Sequence, residues 1–263
     1  MGVISATSSL NGGVLHYLTA GSGDKAVVCV HGLGQSSFIW ESVLGALPSG
    51  WQGYALDLLG FGESTKPESG YSIDSHARTV ASFIATIPQE DVVLAANSLG
   101  GVIALVVALN EPPKLAAMVL AATGARVRDP EALKLYRDRL ATMKMTEDNR
   151  LSIARAYCYK QQDPSVLNRL ADEVGKARRE AMLETMSSSL STDLRAQLPR
   201  INHPTLVVQG MEDKGRTPED GLEIARGVKN GRLLALPDVG HTPMLDDPEE
   251  FQWWLNGSLG KWF

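Results

Sequence analysis

A serine attacks a carbonyl carbon when a base takes its proton, and a histidine serves as that base when a carboxylate holds its ring. Ser98 stands in Asp91-Val92-Val93-Leu94-Ala95-Ala96-Asn97-Ser98-Leu99-Gly100-Gly101-Val102-Ile103-Ala104-Leu105. The apolar run before it predicts a buried strand, and the run after it a helix. A sharp bend between them crowds backbone against backbone, and Ala96, Gly100 and Gly101 are the small residues such a bend tolerates. Ser98 is then exposed at its tip. Backbone N–H groups and the positive end of a helix lie close by, where an oxyanion could be held. A serine between small residues is also a common helix N-cap, so the nucleophile reading depends on partners elsewhere in the chain.

Those partners must come from elements that end at the same place. Apolar strands are predicted at 14–18, in a leading hairpin, and at 26–30, running into His31-Gly32-Leu33-Gly34. A third, at 54–58, leads into Gly60-Phe61-Gly62-Glu63-Ser64, and a fourth, at 116–122, ends at Thr123-Gly124-Ala125. Helical spacing covers 38–47 and 73–87, the latter capped by Ser72. After a long interruption, strands resume at 205–210, running into Met211-Glu212-Asp213, and at 232–236, before the loop Gly240-His241-Thr242-Pro243-Met244. Helices are predicted at 218–227 and 248–255. This alternation predicts an α/β fold with a mostly parallel, doubly wound sheet. Ser98, Asp213 and His241 fall at the carboxyl ends of three of its strands, the edge where such sheets place their active sites.

Between about 129 and 198 the strands vanish. The stretch is charged, helical in period, punctuated by Pro130, Pro164 and Pro199, and contains Met143, Met145, Met182 and Met186. It reads as an inserted helical cap. The expected division is a core of 1–125 and 200–263 with a cap of 126–199. Methionines in such a cap serve as adaptable packing, and an adaptable wall over a pocket uses the same residue.

Composition narrows the function classes. A chain of 263 residues with net charge −5 and pI near 5.6 has no basic stripe for nucleic acid or an anionic membrane. Two cysteines, Cys29 and Cys158, make neither a disulfide framework nor a metal cluster, and both read as core thiols. Met1-Gly2-Val3-Ile4-Ser5 lacks a signal-peptide pattern, and no apolar run reaches membrane-spanning length. The expectation is a soluble, cytoplasmic protein with a small-molecule substrate. Oligomeric state leaves no mark in the sequence.

Taken together, His31-Gly32-Leu33-Gly34, Asp57-Leu58-Leu59-Gly60-Phe61-Gly62-Glu63-Ser64, Asn97-Ser98-Leu99-Gly100-Gly101, Gly210-Met211-Glu212-Asp213 and Gly240-His241-Thr242-Pro243 resemble the α/β-hydrolase superfamily. The order Ser, acid, His is that of this fold. One departure is Ala96, where the usual elbow has glycine; a small residue there serves the same steric purpose. The resemblance implies that Ser98 is the nucleophile, His241 the general base and acid, and Asp213 the residue that orients it. Glu212 and Asp238 are competing acids, and the superfamily's spacing selects Asp213. The backbone N–H groups of Leu33 and Leu99 would form the oxyanion hole. Leu33, Asn97, Thr123 and Thr242 are the residues expected to border the substrate. His31, Asp57 and Glu63 are read as structural, and no metal or organic cofactor is implied.

A serine rather than an aspartate at the elbow argues against dehalogenases and epoxide hydrolases. Asn97 resembles the residue before the nucleophile in hydrolases that cut carbon–carbon bonds of aromatic ring-fission products. The rest of that pattern is missing: no Trp follows His241, and the His31 loop lacks the longer glycine-rich form. The expected activity is hydrolysis of a small, fairly apolar carboxylic ester or lactone. The alternatives are the carbon–carbon hydrolase and, from another class, a slow-turnover ligand-binding receptor on the same fold.

Overall fold

The computed structural model describes residues 2–10 and 12–262; Met1, part of the amino-terminal segment read above, lies outside them. An eight-stranded sheet runs through the molecule. Its strands are β1 (Ile4–Leu10), β2 (Gly13–Gly21), β3 (Lys25–Val30), β4 (Trp51–Leu56), β5 (Asp91–Asn97), β6 (Leu115–Ala121), β7 (Thr205–Gly210) and β8 (Gly231–Leu236). Their order is β1-β2-β4-β3-β5-β6-β7-β8, antiparallel at β1–β2 and β2–β4 and parallel from β4 onward. The expected doubly wound arrangement is therefore the one observed.

Side-chain alternation along the central strands divides the core in two. Val28, Val30, Leu94 and Ala96 face one layer, with Val80, Phe83 and Ile84 of α2 (Ile73–Thr86, after the short α1, Glu41–Gly45) and with Ile103 of α3 (Leu99–Leu109). Val27, Cys29, Val93 and Ala95 face the other, against Trp40 and the carboxyl-terminal helix. The strands buried on both faces are thus the continuous apolar runs seen in the sequence. Ser72 caps α2, its hydroxyl accepting from the Ser75 N–H at 3.2 Å. Strand β4 starts at Trp51 and ends at Leu56, so Asp57 and Leu58 lie in the connection before the turn at Leu59–Gly60.

Between β6 and β7 lie α4 (Pro130–Thr142), α5 (Glu147–Ala156), α6 (Pro164–Lys176) and α7 (Arg179–Leu190). Asp129, Thr146 and Asp163 cap the first three. The chain ends with α8 (Pro218–Gly227), α9 (Pro243–Asp246) and α10 (Pro248–Trp262). The loop expected after His241 is in part helical, because Pro243 sits in the first turn of α9, where its missing N–H is not needed. Among the described residues, no helix is long and apolar enough to cross a membrane.

The helices of 130–190 are stitched to the core. Tyr157 Oη donates to the Leu33 carbonyl at 2.9 Å, and the Arg178 N–H to the Gly60 carbonyl at 2.8 Å. Asp246, buried beside the His241 loop, accepts from the Gly240 N–H at 2.7 Å and from the N–H groups of Tyr159 and Lys160 at 3.0 Å.

Candidate active site

Ser98 stands between β5 and α3 with φ 54° and ψ −114°. A non-glycine residue there carries roughly 1–3 kcal/mol of backbone strain, held by the packing around it. Its side chain makes no cap bond to α3, so the N-cap reading fails. The bend needs its glycines for space: a Cβ on Gly100 would lie 2.6 Å from the Val30 carbonyl oxygen, and one on Gly101 2.6 Å from the Thr123 side chain. The Ala96 methyl is accommodated, fully buried in the core.

The three expected residues meet. Ser98 Oγ and His241 Nε2 are 2.8 Å apart, and His241 Nδ1 lies 2.8 Å from Asp213 Oδ2. With Nδ1 carrying the proton toward Asp213, Nε2 is free to accept from the Ser98 hydroxyl. Burial pushes the Asp213 carboxyl up, but the hydrogen bond and charge of His241 and the N–H groups of Arg216 and Gly215 outweigh it and hold the carboxyl below its ordinary range. Of the competing acids, Glu212 and Asp238 are exposed, and Asp238 sits in a turn with φ 55°.

The backbone N–H groups of Leu33 and Leu99 donate to no protein acceptor among the described residues. That of Leu99 is at the start of α3, where the first helical N–H groups have no internal partner. The loop carrying Leu33 is tied to the His241 loop through Gln35. Its Oε1 accepts from the Gly32 N–H at 2.8 Å, and its Nε2 donates to Thr242 Oγ1 at 3.2 Å.

A cavity of about 480 Å³ opens on Ser98, with Leu33, Leu99, Val102, Leu133 and Met186 in its apolar wall. A larger one, about 670 Å³, reaches His241 from the side of α5 and does not touch Ser98. Tyr136, Tyr157, Lys214 and His241 belong to both walls. His241 borders both cavities, and Ser98 borders the smaller of the two.

Leu33 lines that cavity, but the other expected border residues do not, and their assignment is corrected. Asn97, Thr123 and Thr242 are fully buried behind the site. Asn97 Nδ2 donates to the carbonyls of His241 at 3.0 Å and Ala121 at 3.3 Å, and Thr123 Oγ1 donates to the Ser98 carbonyl at 2.6 Å. They brace the loops rather than face a substrate. Tyr157 and the cations Arg128, Lys214 and Arg216 do face the cavity. No sequence motif marked them.

The residues read as structural are bonded within the fold. His31 donates from Nδ1 to the Gly32 carbonyl at 2.7 Å and accepts the Leu58 N–H at Nε2, and burial keeps it neutral by pushing its pKa down. Asp57, buried, accepts from the N–H groups of Ser37 and Glu63 and from His16 Nδ1 at 2.8 Å. Burial alone would raise its pKa; the hydrogen bond from His16 and the two N–H groups bring it down to about 2. His16 Nε2 in turn lies 2.7 Å from the hydroxyl of exposed Ser5.

Residues 27–251 match the alpha/beta hydrolase family, and the chain belongs to it. It is 27% identical over 255 residues, 91% of this chain and 86% of the relative, to a 2-hydroxy-6-oxo-6-(2'-aminophenyl)hexa-2,4-dienoic acid hydrolase of Metapseudomonas resinovorans. It is 26% identical over 236 residues, 86% of this chain and 74% of the relative, to a pimeloyl-[acyl-carrier protein] methyl ester esterase of Neisseria meningitidis. The solved enol-lactonase of Burkholderia xenovorans LB400 superposes with a TM-score of 0.87 at 23% identity, covering 97% of this chain and 100% of that one.

Proposed function

We propose that the protein is a serine hydrolase that cleaves a small carboxylic ester or lactone through an acyl-enzyme on Ser98. The observation that carries this reading is the aligned relay from Ser98 through His241 to Asp213, opening beside two unspent backbone donors. His241 Nε2 takes the proton of Ser98 as Oγ attacks the carbonyl carbon, and Asp213 holds the ring and balances its charge. The N–H groups of Leu33 and Leu99 receive the developing oxyanion; one such donor typically contributes about 3–4 kcal/mol to the transition state. His241 then hands the proton to the leaving oxygen. A water, deprotonated by the same nitrogen, releases the acid. The acyl group fits the Ser98 cavity, and the leaving group lies on the His241 side, toward the larger one.

A fluorophosphonate tests the nucleophile: the intact mass rises by one adduct, and peptide mapping places it on Ser98. An unlabelled protein, or an adduct elsewhere, overturns the reading. A panel of esters and lactones graded by acyl length then defines the substrate.

The carbon–carbon hydrolase reading now draws its support from a relative rather than from Asn97, whose side chain is turned away from the cavity. Loss of the visible absorbance of a ring-fission dienoate, much faster than hydrolysis of nitrophenyl esters, would favour it. A receptor would be stabilised by ligand without product formation, so rapid multiple turnover excludes that third possibility.

A further inference from the structure

The wall of the Ser98 cavity carries three cations, Arg128, Lys214 and Arg216, against two carboxylates, Asp129 and Asp220, in a chain of net charge −5. Both carboxylates are already engaged. Asp220 Oδ1 accepts from Arg128 Nε at 3.0 Å and its Oδ2 from the Thr217 N–H at 2.9 Å, while Asp129 caps α4 through the Ala132 N–H. Arg216 and Lys214 form no ion pair among the described residues.

Arg216 is also held in place. Its N–H donates to Asp213 Oδ1 at 3.0 Å, its carbonyl accepts from Gln209 Nε2 at 2.6 Å, and its Nη1 donates to the Arg126 carbonyl at 2.7 Å. A Cβ on Gly124 would lie 2.8 Å from Nη1, so the glycine makes room for the guanidinium. Of five guanidinium N–H donors, the rest remain for a ligand. Asp220 and Asp213 favour its charge from nearby but neither pairs with it directly, and a planar carboxylate matches its fork.

Resting on the hydrolase reading above, we infer that the acyl part of the substrate carries a second, anionic group, a carboxylate held by Arg216 with Lys214. Arg216 borders the Ser98 cavity and not the larger one, so the carboxylate belongs to the acid portion that stays on the serine and not to the leaving group. The substrate class is a half-ester of a dicarboxylic acid, or a lactone with a free carboxylate. Its apolar middle lies along Leu99, Val102 and Leu133.

The test compares 4-nitrophenyl half-esters of adipic, pimelic and suberic acid with 4-nitrophenyl esters of hexanoic, heptanoic and octanoic acid. For at least one chain length, kcat/KM favours the half-ester by about tenfold or more. Arg216→Met lowers that preference by about tenfold, mainly through KM, and Arg216→Lys restores part of it. A wild-type protein that favours the neutral ester at every length overturns the inference, as does a variant that loses both activities in proportion, which would mark Arg216 as structural. Heating Ser98→Ala with each ester reads binding without chemistry: stabilisation by the half-esters beyond the neutral ones supports the inference, and equal or no stabilisation overturns it. An absent phosphonate adduct on Ser98 would instead defeat the hydrolase reading itself.

Discussion

Two Ser–His–Asp relays of nearly the same dimensions lie in this molecule. In one, His241 bridges Ser98 and Asp213 at 2.8 Å on each side; in the other, His16 bridges Ser5 and Asp57 at 2.7 and 2.8 Å. Distance does not separate them, but the backbone does. Ser98 is held in a strained bend at the start of a helix, facing two unspent N–H groups and a cavity. Ser5 is exposed in an ordinary extended edge strand, and no helix begins beside it. Asp57 also raises the pKa of His16, chiefly through its hydrogen bond, which favours the imidazolium over a form that could act as base. The relay moves a proton only usefully where an oxyanion can be received.

The two serines are expected to differ most. Ser98→Ala lowers kcat for the preferred ester by about 10⁶-fold, whereas Ser5→Ala changes it by no more than about twofold. Equal losses would show that the first relay is not the catalytic one. At the acids, Asp213→Asn lowers kcat by about 10⁴-fold, through the wrong histidine tautomer. Asp57→Asn acts on stability: a carboxyl moved from its ordinary 3.8 to about 2 contributes about 2 kcal/mol, or about 4–8 °C in Tm.

The pH dependence sharpens the contrast further. Because folding lowers the pKa of Asp57, its contribution is present above pH 3.8 and fades as pH falls toward about 2. Because folding raises that of His16, its contribution is whole below 6.5 and fades as pH rises through the raised value. The Tm difference between wild type and Asp57→Asn is therefore largest between pH 3.8 and 6.5. A difference that grows toward alkaline pH would contradict the pairing. A modest loss is expected of Tyr157→Phe, which frees the Leu33 carbonyl. It lowers kcat by about fivefold, the equivalent of one ordinary hydrogen bond, and leaves KM nearly unaltered.

Much of this was legible in the sequence because strands buried on both faces are written as apolar runs and end at glycine-marked loops. The strand at 205–210 and the helix at 218–227 have the bounds read from the sequence. Ser98 and Asp213 follow such strands and His241 follows the edge strand β8, all at the same end of the sheet, so their meeting was legible too. The border of the cavity was not. Asn97 and Thr242 adjoin Ser98 and His241, and Thr123 follows the neighbouring strand, but adjacency does not fix where a side chain points. All three are turned into the fold, Asn97 bonded to the His241 carbonyl, Thr242 to Gln35 and Thr123 to the Ser98 carbonyl. Arg216 and Tyr157 escaped notice for a different reason. Each acts through a distant partner, the Arg126 and Leu33 carbonyls, and no local pattern records such a contact.

The bonds from Tyr157 to Leu33 and from Asp246 to residues 159 and 160 also bear on how this protein can change its diet. A replacement for residues 130–190 that lacked this hydroxyl, or the chain that Asp246 grips, would leave the Leu33 and His241 loops unbraced. Such a chimera loses turnover before it gains a substrate. Single replacements within residues 130–190 that leave these seams intact are therefore expected to alter the cavity wall without loosening the loops.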